Sequence, residues 1–285
     1  MFSVCAATAV IPCPGRAFDG VVDTTLYNGE DAKAITELLD GSVGHYIFLS
    51  TGQVYLVRRD LRRPFAEDDY DGPIIDSPPQ GSRDHEEWAY GGAKRQAEDV
   101  LRTAWETRRF PCTALRLPMV NSERDHFYRI YGYLLRLRDG GPILVPAGDQ
   151  MHLRHVYGGD VVRAIATLIH TGLGKGRAYN LSQEEALPLE DFLALLASMA
   201  GHALRLARID KALLESHRLL PDCSPFSDPW MSELDNRRSK DELGMRYTPL
   251  PVYLRKLIRH YESHPLPTPV GYQQRGEEIR LVLGA

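Results

Sequence analysis

Tyr90 and Lys94 stand four residues apart in the run Tyr90-Gly91-Gly92-Ala93-Lys94. On a helix that separation puts both side chains on one face, where they can meet the same ligand. A phenol titrates near pH 10 and is a poor base at neutral pH. An ammonium beside it favours the phenolate and makes proton transfer feasible. Gly91 and Gly92 are weak helix formers, and their bareness predicts close approach of a ligand. The spacing alone proves little. With 14 tyrosines and 6 lysines in 285 residues, roughly 0.3 such pairs arise by chance. A solvated Tyr and Lys on a surface helix is the bland alternative.

A second group strengthens the pair. Leu49-Ser50-Thr51-Gly52-Gln53-Val54-Tyr55 places two hydroxyls and a glycine at the end of an apolar run. If that run is a buried parallel strand, its carboxyl end is where open α/β sheets bind ligands. A Thr hydroxyl there can donate to a substrate oxygen while the tyrosine moves a proton. A Ser/Thr turn after a strand is the ordinary reading of the same residues.

The elements that would position these groups follow from periodicity. Short apolar runs alternate with amphipathic helices, the pattern of a parallel sheet with crossover helices. Val21 and Val22 form a short run ending in Asp23. Residues 31–39 read as a helix stopped by Gly41, and residues 45–50 as a buried strand. Residues 58–85, rich in Asp, Arg and Pro, read as a long surface excursion. A long helix is predicted over 86–108 and a strand over 112–117. Further helices are predicted over 125–138, 160–171, 188–200, 239–243 and 251–261, with a strand over 178–181. Residues after Pro265 have weak periodicity and read as a loose tail.

Composition narrows the classes. Hydrophobic residues make up 43% and charged residues 25%, ordinary values for a globular protein. A net charge of −4 and a pI near 6.2, with basic and acidic residues interleaved, disfavour nucleic acid as a partner. No apolar stretch approaches the roughly 18 residues that cross a bilayer. Cys5, Cys13, Cys112 and Cys223 have no paired spacing and read as reduced thiols of a cytoplasmic protein. The apolar start, residues 1–14, lacks the leading basic residues of a signal peptide. His152 and His155 have no ligand-type partner at metal spacing, so core or site-lining roles are preferred and no metal is expected. Arg58, Arg59, Arg62 and Arg63 are balanced by Glu67, Asp68, Asp69 and Asp71 and read as a solvated loop, with an anionic substrate group as the sharper alternative. Trp88 either lines the substrate side or packs against its helix.

In this order the segments resemble the NAD-dependent epimerase/dehydratase branch of the extended short-chain dehydrogenases/reductases. Thr51, three residues before Val54, matches the catalytic Ser or Thr of a strand ending S-[ST]-x-x-V-Y, and Tyr90 and Lys94 match the Y-x-x-x-K helix. The run from Phe18 to Asp23 resembles the fourth strand of the Rossmann sheet. That from Leu115 to Val120 resembles the sixth-strand segment before the nicotinamide-contacting loop. Leu153 to Asp160, Tyr179 to Leu181, and Ser239 to Gly244 with Pro249 match later landmarks in order.

The resemblance implies an α/β fold: a Rossmann-like parallel sheet with flanking helices, missing the first strands, plus a small, mostly helical C-terminal substrate lobe. It implies a core over 1–120 with 155–182 returning to it, a lobe over 121–154 and 183–264, and a tail over 265–285. Tyr90 would be the acid/base, Thr51 would orient the substrate oxygen, and Lys94 would lower the tyrosine pKa and bind the nicotinamide ribose. NAD or NADP would lie against Asp23, Thr24, Ser50, Tyr90, Lys94, Leu117, Pro118 and Met119. The substrate would be a small molecule of the sugar-nucleotide kind, and a homodimer is allowed.

One part of the family pattern is missing. Only 17 residues precede Phe18, with Gly15 as their single glycine, so the strand and G-x-x-G-x-x-G that seat a pyrophosphate have no counterpart. Gly41 with Gly44, and Gly172 with Gly174 and Gly176, follow helices and are no substitute. The chain reads as a truncated form of a longer gene or, second, as a natural short form. In the short form an edge would be exposed for residues 2–11 or another subunit to cover. The rival to an enzyme is a catalytically impaired relative working as a binding or regulatory protein, RNA-associated in one version that the charge disfavours.

Overall fold

The computed structural model describes residues 17–149, 151–264 and 266–284. Residues 2–11, Cys5 and Cys13 therefore lie outside the described residues. The elements run β1 (Val21–Asp23), α1 (Gly29–Leu38), β2 (Tyr46–Thr51), α2 (Gln53–Leu56), α3 (Arg83–Arg108), β3 (Cys112–Leu117), β4 (Val120–Asn121), α4 (Arg129–Asp139), β5 (Ile143–Pro146), β6 (His152–Leu153), β7 (Val156–Tyr157) and α5 (Gly158–Thr171). They continue with β8 (Arg177–Asn180), β9 (Leu187–Pro188), α6 (Leu189–Ala200), β10 (Leu206–Ile209), α7 (Lys211–Ser216), α8 (Arg237–Leu243), α9 (Leu250–Ser263) and α10 (Arg275–Leu283). The described residues divide into two compact units. The first runs to Leu117 and takes in Val162–Leu181 and Asp235–Met245; the second holds the rest.

The first unit is built on a parallel sheet in the order β1-β2-β3-β8. Alternation along β2 decides its two faces. Tyr46 and Phe48 join a core with Ala32 of α1 and Ala97, Leu101 and Ala104 of α3. His45, preceding β2, points the other way, with Nδ1 3.1 Å from the Leu168 carbonyl of α5 and Nε2 2.7 Å from Thr113 Oγ1. Helices therefore flank the sheet. On its outer side β1 has no strand partner among the described residues, and Val22 there is exposed.

The long helix α3 begins three residues earlier than its periodicity suggests, because the Ser82 hydroxyl accepts from the His85 amide and caps it. Residues 58–85 form a stapled loop. Arg58 Nη1 donates to the Pro73 carbonyl at 2.9 Å, Arg58 Nε donates to that of Asp69, and Arg59 pairs with Asp76. Those two arginines of the basic run hold the loop itself, and Trp88 donates its indole N–H to the Ile75 carbonyl at 3.2 Å.

The second unit is mostly helical around a core that includes Tyr133, Leu137, Phe192, Leu196, Tyr253 and Leu257, with β5 and β10 paired beside it. Here the tail departs from expectation. Residues 275–283 are helical, and the reason is electrostatic: Glu278 is fully buried and accepts from Arg275 Nη1 at 2.8 Å and from Arg136 Nε at 2.9 Å. A buried charged pair leaves no apolar periodicity to read. Helix α4 begins four residues later than expected, since the Asp125 carboxylate accepts from the Phe127 and Arg129 amides and closes the turn in front of it. His155 is a core residue, its ring 4.5 Å from that of Phe226; burial holds it at about 3, well below its ordinary value.

Candidate active site

Helix α3 lies along the carboxyl end of β2, and one face of it carries Glu87, Tyr90, Lys94 and Glu98 at spacings of three and four. Gly91 is what lets it lie so close. A Cβ there would stand 2.7 Å from Val57 Cγ1 and 2.8 Å from the Gln53 carbonyl oxygen, whereas one on Gly92 would meet nothing within 4 Å. The bareness expected to admit a ligand thus serves helix packing at Gly91.

Lys94 is buried. Its Nζ donates to the Leu26 carbonyl at 2.6 Å and the Leu49 carbonyl at 3.1 Å. It also lies over three aromatic faces, 4.6 Å from the centroid of Phe48, 4.8 Å from Tyr27 and 5.9 Å from Tyr90. Burial pulls Lys94 down to about 8, against the opposing pull of Asp23 and Glu98. With two of three donors on main-chain oxygens, one remains for a ligand.

Tyr90 is half-buried, and burial raises its phenol above the ordinary tyrosine value. A hydrogen bond with Thr51 pulls it down, while Tyr27 and Glu87 push it up. The sequence reading had Lys94 lowering this phenol. In the structure the ammonium faces the ring and the main chain, and Tyr90 is held protonated at neutral pH. Thr51 Oγ1 accepts from the Gln53 amide at 3.2 Å.

The expected cofactor-lining residues divide. Asp23 organises the turn after β1: Oδ1 accepts from the Thr25 and Leu26 amides at 2.8 and 2.9 Å, and Oδ2 accepts from Tyr46 Oη at 2.6 Å. That turn delivers the Leu26 carbonyl to Lys94, and Thr24 is exposed on it. Leu117 ends β3 in register with Thr51 and is half-buried. Ser50 is buried and donates to Glu98 Oε1. Pro118 and Met119 belong to the second unit, where the Met119 carbonyl accepts from the Val156 amide at 3.0 Å.

Sequence reasoning missed Glu98. It grips Arg116 through Nε at 3.0 and 3.1 Å and Nη2 at 2.6 Å, both side chains being buried. Arg116 also donates to Tyr55 Oη at 2.6 Å and the Glu67 carbonyl at 3.2 Å. This network ties α3 to β3 through Arg116 and to β2 through Ser50. Two signals were in the sequence: an acid eight residues after Tyr90 on the same helix face, and an arginine inside the apolar run of β3.

The site's donors suit part of a dinucleotide. Lys94, Tyr90 and Thr51 offer a cation, a phenol and a hydroxyl at a strand end, a set fitted to a ribose diol and a neighbouring carbonyl or hydroxyl. Among the described residues, the β1–α1 turn offers a pyrophosphate no such fit. The β1–α1 turn leads into a helix whose first turn carries Glu30 and Asp31 and whose cap is already filled by Asn28, an electrostatic arrangement that repels phosphate.

The sequence profile of the NAD dependent epimerase/dehydratase family matches residues 4–182. The chain belongs to that family. Its fold is the one found in solved family structures. The dTDP-glucose 4,6-dehydratase of Bacillus anthracis str. Ames, in complex with NAD, gives a TM-score of 0.65 at 14% identity, over 86% of this chain and 73% of that one. The UDP-glucose 4-epimerase of Thermotoga maritima, with UDP-glucose, gives 0.61 at 19% identity over 81% and 68%. The dTDP-glucose 4,6-dehydratase of Streptomyces venezuelae, with NAD and TYD bound, gives 0.62 at 18% over 86% and 74%. No curated protein sequence matches the chain. At these identities the likeness to the epimerases and dehydratases is one of fold. Among the described residues no helix is long and apolar enough to cross a membrane.

Proposed function

We propose that this family member is an NAD(P)-dependent epimerase, dehydratase or reductase acting on a hydroxyl or carbonyl of a sugar-nucleotide-like substrate, with Tyr90 as its acid/base. The observation that carries this reading is the meeting of Thr51, Tyr90 and Lys94 at the carboxyl end of β2. The hydride would be the nicotinamide's to carry. The chain's own residues do the rest. Tyr90, protonated at neutral pH, gives its proton to a substrate oxygen or takes one back; Thr51 holds that oxygen by a hydrogen bond; Lys94 sets a positive charge beside the phenolate formed. Sugar-nucleotide chemistry is favoured by the structural neighbours, whose bound ligands include UDP-glucose and UDP-glucuronic acid. The alternative, a family member without turnover that binds and regulates, is favoured by Glu30 and Asp31 standing where a phosphate would need a positive helix end.

Titrating the protein with NADH and NADPH by fluorescence, then assaying UDP- and dTDP-hexoses, separates the two. Saturable binding with turnover that falls about 10²–10⁴-fold in Tyr90→Phe supports the enzyme. Absence of saturation at millimolar cofactor would sink it.

A further inference from the structure

Lys94 reads as a ligand-holding cation, yet it is only 2% exposed. The cause lies in what surrounds the ammonium. Two of its protons go to the Leu26 and Leu49 carbonyls, at 2.6 and 3.1 Å. The rings of Phe48, Tyr27 and Tyr90 then stand with their centroids 4.6, 4.8 and 5.9 Å from Nζ. These three rings differ in their own exposure. Phe48 is fully buried in the core that α1 and α3 share with β2, and Tyr90 is half-buried. Tyr27, by contrast, is 52% exposed. It lays a ring face on the ammonium while much of its surface stays in water, and its ring centroid lies 6.4 Å from that of Tyr90.

The main chain on either side of Tyr27 is pinned. Leu26, before it, is buried and donates its amide to Asp23 Oδ1 at 2.9 Å. Asn28, after it, caps α1 by accepting from the Asp31 amide at 2.8 Å. A ring on so fixed a turn can leave Lys94 by rotation between side-chain rotamers, with the backbone unchanged. The contact it gives up is a single cation–π interaction. We propose that Tyr27 is a gate over Lys94: its ring closes the ammonium off in the free protein and turns aside when the hydroxyls of a ribose-type diol reach the third Nζ proton. This rests on the reading of Lys94 as a ligand-holding group of the site and adds what restrains it. The plainer account is a structural lysine that pins the β1–α1 turn to β2 under a permanent cover. A permanent cover is built like Phe48, buried on every side, and the exposure of Tyr27 sets it apart as the ring with room to move.

The test reads access to Lys94 by amine labelling of the folded full chain and peptide mass spectrometry, with the other five of its 6 lysines as internal references. Rates are followed upward in pH to the plateau where the amines are neutral, so the plateau reports access alone. A gate open in roughly 0.1–10% of molecules slows labelling by that fraction, so the Lys94 plateau is expected to rise about 10–10³-fold in Tyr27→Ala. Tyr27→Phe keeps the ring and is expected to label as wild type does. A Lys94 plateau unmoved in Tyr27→Ala, or raised equally in Tyr27→Phe, overturns the gate. So does a rise shared by the five reference lysines, which is loosening of the whole fold. The apparent Kd for NADH or NADPH is expected to fall in Tyr27→Ala by the same factor as access rises. A gate seen in labelling, with no saturable cofactor binding in either form, would contradict the enzyme reading and leave the gate standing. Saturable binding with an unmoved Lys94 plateau would do the reverse.

Discussion

Both units bury an arginine–glutamate pair, and the two pairs have different tasks. In the first unit Glu98, on the face of α3 that carries Tyr90 and Lys94, and Arg116 of β3 tie that helix to Ser50 and Tyr55. In the second, Arg136 and Glu278, joined by Arg275 and Asp139, fasten helix α10. The physics is shared. Two charges leave water, and only dense hydrogen bonding on every side offsets the desolvation. What differs is the neighbour. Glu98 is one turn beyond Lys94 on the same helix, so any slackening there reaches Lys94 and Tyr90, while Glu278 holds a terminal helix.

Breaking either pair is the harshest test of that contrast. Glu98→Ala and Glu278→Ala each leave a buried arginine unpaired and are expected to cost about 3–5 kcal/mol in chemical denaturation. The contrast lies in the second readout: Glu98→Ala also shifts the Tyr90 absorbance titration, and Glu278→Ala leaves it where it was. Equal effects of both on Tyr90 would dissolve the comparison.

Packing offers a finer test on α3 itself. Gly91→Ala drives a Cβ into Val57 and the Gln53 carbonyl, an overpacking that costs about 1–3 kcal/mol and moves α3 off α2. Gly92→Ala meets open space and is expected to stabilise by about 0.5–1 kcal/mol, the helix preference of alanine over glycine. Denaturation midpoints of the two variants should therefore move in opposite directions.

The units also differ in how acidity reaches them. His155, neutral in the fold at about 3, takes up a proton far more readily when unfolded. Its contribution is complete above the ordinary histidine value near 6.5 and is lost as pH falls toward 3. Lys94, held at about 8 by burial, follows the same rule higher up: stability from this group is full above 10.5 and declines as pH falls toward 8. Denaturation curves of His155→Phe and Lys94→Met against pH should lose these slopes separately.

Much of this was legible in the sequence. The alternation of β1, α1, β2, α3 and β3 stands in apolar periodicity, and Thr51, Tyr90 and Lys94 stand in their spacing. The rest was hidden for physical reasons. The bond from Ser50 to Glu98 could not be read from spacing, because the partner is 48 residues away. Helix α10 is held by buried charges and has little apolar stripe to detect. The role of Gly91 depends on Val57 and Gln53, which only the folded chain brings beneath it.

The central claim is that the end of β2 and the face of α3 form a working acid/base site around Tyr90. The most direct measurement is turnover of UDP- and dTDP-hexoses with NADH, NADPH and their oxidised forms, by wild type and Tyr90→Phe, with the fold of both checked by circular dichroism. The account predicts a folded Tyr90→Phe whose turnover drops about 10²–10⁴-fold while cofactor binding persists. Wild type and variant that turn over equally, or a wild type that binds no cofactor, would contradict it.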